Sequence, residues 1–210
     1  ITGLVGSEMC IRDRFFDGIK TSQIQEILVK SASDLISLET PNYQYVASRL
    51  LLFDLRKQLN DHYEDHPFIL DHVKKCADLD VYDKTIIEKY TEEEWKQIDS
   101  YIDYGRDYLF SYAGMRQVVD KYLVQDRSSG ELYETPQQMY IMIAATLFQE
   151  YPQETRLDYV RRYYNAISKH KINIPTPVMA GVRTPLRQFA SCVLVDVDDT
   201  LDSIFSSDMA

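Results

Sequence analysis

The sequence predicts a mainly α-helical chain with one β-hairpin and one late β-strand. Three observations predict it. Apolar residues recur at three- and four-residue spacing through most of the chain. Helix-start signatures stand in front of several of these stretches. Only two places, residues 121–133 and the run Val193-Leu194-Val195, depart toward turn-flanked or β-branched extended patterning.

Taken in order, Ser22 with Gln25 reads as a capping box. Ile24, Ile27, Leu28, Ser31 and Leu35 then share one helical face. Pro41 breaks the chain, and Tyr43, Val46, Leu50 and Phe53 stripe a second helix that ends near Leu59, giving a helical hairpin. His62 to Pro67 is a polar linker and the best place for a domain boundary. Phe68 to Ala77 predicts a short helix. Thr91 with Glu94 is a second capping box, ahead of a core face of Trp95, Ile98 and Ile102. A helix is expected across Leu109 to Val118. Lys121 to Gln125 and Glu131 to Tyr133 flank Asp126-Arg127-Ser128-Ser129-Gly130, the pattern of a hairpin. Thr135-Pro136 with Gln138 opens a helix whose body, Met139 to Phe148, is apolar nearly all round, so it should be the most buried helix. After Pro152, Leu157, Val160, Tyr164 and Ile167 line up as another helical face.

Composition narrows the function. A net charge of −10 argues against general nucleic-acid binding, which needs a basic face, but leaves single nucleotides open. Three irregularly spaced cysteines (Cys10, Cys76 and Cys192) do not make a secreted disulfide framework. The longest apolar run is too short to span a membrane and no secretory signal is evident, so the expected compartment is the cytoplasm, with no membrane partner. His62 and His66 with Glu64, Asp65 and Asp71 read as a solvated loop, and no metal site is expected in the chain. Cys76 reads as core packing. Glu92 to Glu94 reads as a helix start satisfying its dipole.

The stretch Pro175 to Ser203, PTPVMAGVRTPLRQFASCVLVDVDDTLDS, carries the most chemistry. Pro177 and Pro185 predict an extended, rigid loop from Ile174 to Gln188, laid beside a buried strand that begins with the Cys192 thiol. Arg183 and Arg187 are candidates to screen a substrate phosphate, or surface residues. Taken alone, a Cys in an apolar strand is more often inert core than reactive. TPVMAGVRTPLRQFASCVL, however, resembles the large (alpha) subunit of class I aerobic ribonucleoside-diphosphate reductases. The resemblance extends back through Glu154-Thr155-Arg156-Leu157, Lys121-Tyr122-Leu123-Val124, Tyr90-Thr91-Glu92-Glu93-Glu94 and Phe16-Asp17-Gly18-Ile19-Lys20-Thr21. It reaches from Phe15 to the end. Residues 1–14, which include GSEMCIRDR, have no counterpart there and are expected to be an extraneous, loosely placed leader, so the chain reads as an incomplete large subunit.

The resemblance implies a partial ATP-cone over residues 15–62, a helical domain over 63–174 and the start of an α/β barrel over 175–210. It implies reduction of ribonucleoside diphosphates to 2′-deoxyribonucleoside diphosphates by a radical mechanism. Cys192 would form a disulfide with a second cysteine on a later barrel strand as the ribose loses its 2′-hydroxyl. Thr176 and Ser191 would bind substrate. Asp199, Thr200 and Leu201 would bind the specificity effector, a deoxynucleoside triphosphate, and Thr21, Phe53 and Lys57 would bind the ATP-cone effector. The bland readings are a cap at Asp198 or Asp199, a capping Thr21, a core Phe53 and a solvated Lys57. No cofactor is implied in this chain. The implied partners are a radical-generating small (beta) subunit carrying a di-metal radical cofactor, thioredoxin or glutaredoxin, and a second large subunit. The alternatives are a cobalamin-dependent or anaerobic reductase, or a non-enzymatic helical interaction module with a structural Cys.

Overall fold

The computed structural model describes residues 14–186, 189–192 and 194–209. Most of the expected leader, with Cys10, therefore lies outside the described residues, as do Arg187 and Val193. Arg14, its last residue, is described and pairs with Asp34 at 3.2 Å and bonds Ser31.

Helices α1 (Thr21–Asp34) and α2 (Tyr43–Asn60) pack along one another. The start of α1 is held by the Lys20 N–H donating to Gln23 Oε1 at 3.0 Å, not by the expected Ser22 and Gln25. Gln25 instead donates across the pair to the Leu50 carbonyl at 2.8 Å. A side chain one turn further on faces the neighbouring helix, so it serves the packing rather than the cap. The linker 61–67 leads into α3 (Ile69–Asp78), followed by the short α4 (Ile86–Lys89) and α5 (Glu92–Ser100). The Thr91–Glu94 box is formed both ways, at 2.8 and 3.3 Å.

The helix expected over 109–118 is divided. A 3-10 turn spans Tyr104–Leu109, and α6 covers only Tyr112–Gln117. The break is local: Ser111 accepts from the Gly114 N–H at 3.3 Å and so starts a new helix. A π-type turn then runs Val118–Tyr122.

The expected hairpin contracts. The chain does fold back over 124–133, with the Tyr133 N–H on the Val124 carbonyl and the Asp126 N–H on the Glu131 carbonyl. Only the single antiparallel bridge Gln125–Leu132 forms, and no strand is present among the described residues. An isolated two-stranded pair with so short a ladder gains too little to extend.

Helices α7 (Pro136–Phe148) and α8 (Gln153–Ser168) complete the body. Met139 to Ala145 are each 3% exposed or less, and Ile141 and Ile143 are at zero, as an all-round apolar helix requires. Its start is satisfied internally: Thr135 N–H donates to Gln138 Oε1 at 2.8 Å, and Gln138 N–H to Thr135 Oγ1 at 3.4 Å. Thr135→Ala should therefore lower folding stability by about 1–2 kcal/mol, read as a lower urea midpoint at unchanged slope.

One hydrophobic core runs from Val29 on α1 through Leu52, Ile69, Trp95 and Ile141 to Met179, continuous across the 61–67 linker. Buried polar groups tie its parts together. Arg56 on α2 donates to Asp107 at 2.9 Å and to the Tyr104 carbonyl at 2.7 Å. Gln137 donates to the other Asp107 oxygen at 2.9 Å and accepts from the Tyr164 hydroxyl at 2.7 Å. Burial pushes the Asp107 carboxyl up to about 6, against the pull of Arg56 and Gln137. Glu94 adds a role to its cap by accepting a fork from Arg156, whose Nε lies at 2.7 Å.

Two expectations for the late segment are corrected. The Thr176–Gly181 stretch is a helix, α9, not an extended loop. Pro175 is extended (φ −57°, ψ 140°), but Pro177 falls in the first helical turn, where a missing N–H costs nothing. Among the described residues the barrel strand is not formed. Leu194 is 98% exposed, and Val195 and Val197 are exposed as well. A strand needs a hydrogen-bonded neighbour, and among the described residues none lies beside 194–197. The chain ends its described part in α10 (Leu201–Met209), which buries no residue.

Candidate functional site

Cys192 lies on an exposed segment that leaves the body just after α9. What fixes the root of that segment is Arg183. It stands directly before Thr184-Pro185, yet its side chain is fully buried. The guanidinium forks onto Glu134, with Nε at 2.8 Å from Oε2 and Nη2 on Oε1. It also donates to the carbonyls of Met179 (2.6 Å) and Tyr122 (3.0 Å). The Arg183 carbonyl in turn accepts the Asp83 N–H at 2.9 Å. Burial works against the charge of Arg183, but the Glu134 carboxylate outweighs it and its pKa rises. Arg183 is thus neither a surface residue nor free to meet a phosphate. It is an internal clamp that joins α9, the π turn and the loop after α3.

Glu134 is the hub of the clamp. It accepts the Val124 N–H at 2.7 Å and the Tyr82 hydroxyl proton. Tyr82 continues to His72 at 3.3 Å, and His72 lies 3.6 Å from the Cys76 sulfur. Burial, then the Glu134 charge, push the Tyr82 hydroxyl well above its ordinary value and the Cys76 thiol up to about 12. Cys76 is therefore a packed, unreactive thiol. Burial holds His72 down at about 4, against the pull of Glu134. A folded-state pKa below the unfolded value near 6.5 means that its contribution is intact above pH 6.5 and is lost as pH falls toward 4. Between pH 6.5 and 5 that loss should approach about 2 kcal/mol. Urea titrations at the two pH values should show the loss in the wild-type chain and a smaller one in His72→Gln.

A cleft of about 600 Å³ opens at this root, walled by Lys121, Leu123, Arg127, Pro177, Thr184 and Ala190. Thr184 closes its floor by donating to the Gly181 carbonyl at 2.8 Å. Lys121 and Arg127 give the cleft positive charge close to where Ser191 and Cys192 leave it. Neither was singled out from sequence. The signal available was their place in the predicted hairpin, Lys121 at the start of its first arm and Arg127 in its turn. Glu134 was missed as well, its only signal being a carboxylate set directly before the Thr135 cap.

The predicted site residues fall in three places. Thr176 is the first residue of α9, with its hydroxyl 3.4 Å from that of Tyr122. Ser191 and Cys192 are both exposed, with Oγ and Sγ 3.8 Å apart. Among the described residues no hydrogen bond joins Thr176 to either. Asp199 and Thr200 precede α10 and Leu201 begins it. The cap there is Thr200, which accepts the Ser203 N–H at 3.2 Å, and not Asp198 or Asp199. Thr21 starts α1, while Phe53 and Lys57 lie one turn apart on α2. Phe53 is 37% exposed and stacks on Tyr63 at 4.4 Å, so it is an edge residue rather than a core one.

No helix among the described residues is long and apolar enough to cross a membrane. Residues 108–187, which include the clamp and the cleft root, match the family described as "Ribonucleotide reductase, all-alpha domain". The chain is 53% identical over 191 residues, 91% of its length, to the ribonucleoside-diphosphate reductase subunit alpha of Haemophilus influenzae. It is 53% identical over 197 residues, 94% of its length, to ribonucleoside-diphosphate reductase 1 subunit alpha of Escherichia coli K12. The Helicobacter pylori alpha subunit is 31% identical over 95% of the chain. The chain spans about a quarter of the length of these curated relatives, 24% to 26%. A 53% identity over nearly the whole chain, joined to the all-alpha domain match at residues 108–187, makes the chain similar to about a quarter of the length of ribonucleoside-diphosphate reductase alpha subunits.

Proposed function

We propose that the protein carrying this chain reduces ribonucleoside diphosphates to 2′-deoxyribonucleoside diphosphates, with Cys192 as one of two reducing thiols. The observation that supports this best is the 53% identity, across nearly the whole chain, to proteins named ribonucleoside-diphosphate reductase subunit alpha. The exposed thiol of Cys192, beside a cleft walled by Lys121 and Arg127, is consistent with it. The electrons balance. Replacing the 2′ C–OH by C–H takes up two electrons and two protons and releases water, and two thiols supply both on closing to a disulfide. The second thiol, a radical-generating small subunit with its di-metal cofactor, and thioredoxin or glutaredoxin to reopen the disulfide belong to the same proposal.

The remaining roles follow residue by residue. Thr176 and Ser191 offer hydroxyls that can donate to and accept from a nucleotide. Asp199, Thr200 and Leu201, at the start of α10, contact a deoxynucleoside triphosphate effector. Thr21, Phe53 and Lys57 contact the ATP-cone effector within the 15–62 module. A second copy of the large subunit completes the assembly. The test is direct: the full-length protein, combined with its small subunit and thioredoxin, should convert a ribonucleoside diphosphate to the deoxy product, resolved by chromatography. Absence of product from a folded, assembled complex would overturn the reading.

A further inference from the structure

Tyr122 ends the π-type turn that follows α6, and it walls two clefts at once. One is the cleft at the root of the Cys192 segment. The other, of about 630 Å³, is lined by Phe110, Gln117, Tyr140 and His170 among others. Each part of Tyr122 is held by a different neighbour. Its carbonyl accepts from the buried Arg183 guanidinium at 3.0 Å. Its ring faces the Lys121 ammonium, which lies 5.6 Å from the centroid. Its hydroxyl accepts from Gln117 Nε2 at 3.3 Å and lies 3.4 Å from the Thr176 hydroxyl.

The π turn makes this arrangement possible. In an α-helix five residues advance the chain by about 500°, so positions 117 and 122 would stand about 140° apart. The Leu123 N–H instead closes on the Val118 carbonyl at 3.0 Å, a five-residue step that widens the turn and brings Gln117 and Tyr122 toward one side. Single π turns of this kind are frequent at functional sites. The hydrogen bonds then acquire a direction. The Tyr122 oxygen takes the Gln117 proton, so its own single proton is left for Thr176. A phenol is also the stronger acid of the two hydroxyls, which favours the same sense. Among the described residues Tyr122 is the one side chain that the Thr176 hydroxyl meets by a hydrogen bond. With its oxygen accepting from Tyr122, Thr176 has its proton left to donate, and a nucleotide diphosphate is rich in acceptor oxygens. We propose that Tyr122 is a positioning residue, whose hydroxyl turns the Thr176 proton toward an acceptor oxygen of the bound ribonucleoside diphosphate. This role rests on the nucleotide contact proposed above for Thr176.

The test uses the full-length protein, assembled with its small subunit and thioredoxin and assayed on cytidine diphosphate. Wild type is compared with Tyr122→Phe, Thr176→Val and the double variant. Tyr122→Phe keeps the ring beside Lys121 and the main-chain carbonyl on Arg183, so its melting temperature should stay within about 3 °C of wild type. Its KM should rise about fivefold with kcat within about twofold, the pattern of a lost contact made equally in ground and transition states. Thr176→Val should raise KM at least as much. The double variant should go no further than Thr176→Val alone, because both changes remove one contact; a merely structural effect of Tyr122 would multiply instead. If Thr176→Val raises KM and Tyr122→Phe does not, the role of Tyr122 is wrong and the Thr176 contact stands. Multiplying effects in the double variant, a fall in kcat at unchanged KM, or loss of the fold in Tyr122→Phe would each overturn the positioning role as well. An unchanged KM in Thr176→Val would remove the Thr176 contact and the role of Tyr122 together, while absence of turnover in the assembled wild type would overturn the reductase reading beneath both.

Discussion

Arg183→Met is expected to remove about 3–5 kcal/mol of folding stability, the typical cost of breaking one side of a buried ion pair. The reason is the partner left behind. Glu134 is fully buried and would face the core with its charge uncompensated. The carbonyls of Met179 and Tyr122 would also lose their donors. The double variant Arg183→Met/Glu134→Gln should recover most of the loss, because a neutral amide can still accept the Val124 N–H with its oxygen and donate an N–H to the Tyr82 hydroxyl, which can also accept. A urea double-mutant cycle measures both, and a coupling under about 0.5 kcal/mol would show that the pair is not the clamp described. Hydrogen exchange offers a second readout. Amides of α9 and of Asp83, whose N–H rests on the Arg183 carbonyl, should lose protection ahead of α7. Buried pairs seldom add net stability over an apolar replacement. What this one supplies is position: it sets the root from which Ser191 and Cys192 depart.

The parts of this fold that could be read from the chain are those decided within one helical turn. The boxes at Thr91–Glu94 and Thr135–Gln138 need only residues three apart, and both form. The apolar ring of α7 needed no knowledge of its neighbours to be placed inside. The ion pairs are a different matter. Arg183 meets Glu134 across 49 positions, Arg56 meets Asp107 across 51, and Arg156 meets Glu94 across 62. No local pattern separates such an Arg from a solvated one, so the sequence alone leaves Arg183 a surface residue or a phosphate screen. Proline misled at Pro177, since the same fixed φ serves an extended turn and a first helical turn equally well. The Val193–Val195 run reads as a strand by composition, but strand formation depends on a neighbour, and composition cannot supply one. At the candidate site, Cys192 and Ser191 stood out only through resemblance to a family. The basic wall of Lys121 and Arg127 emerged only once the 124–133 turn folded back beside α9.

Cys192→Ser in the full-length protein is expected to abolish turnover supported by thioredoxin, a loss larger than any stability effect above, while nucleotide binding stays close to wild type. Serine fills nearly the same space and keeps a polar tip, but it cannot close a disulfide. The two electrons needed at the ribose then have no source in the protein. The groups proposed to hold nucleotide are separate from the sulfur. Thr176 sits on α9 with its hydroxyl near Tyr122, and Thr200 caps α10. Neither touches Cys192 among the described residues. The structure also makes the variant a clean one, since Cys192 is exposed, with the Ser191 hydroxyl 3.8 Å from its sulfur. Folding should therefore change by no more than about 0.5 kcal/mol, the usual range for a surface substitution. Cys76→Ser is the matched control: it alters a buried thiol that takes no part in the proposed chemistry, so it should lower stability and leave the rate per folded molecule unchanged. The measurement is deoxynucleotide formed per enzyme over many turnovers, with substrate and effector affinities titrated in parallel. Wild-type turnover in Cys192→Ser would remove the thiol from the mechanism. Equal loss in both variants would move its role from electron supply to structure.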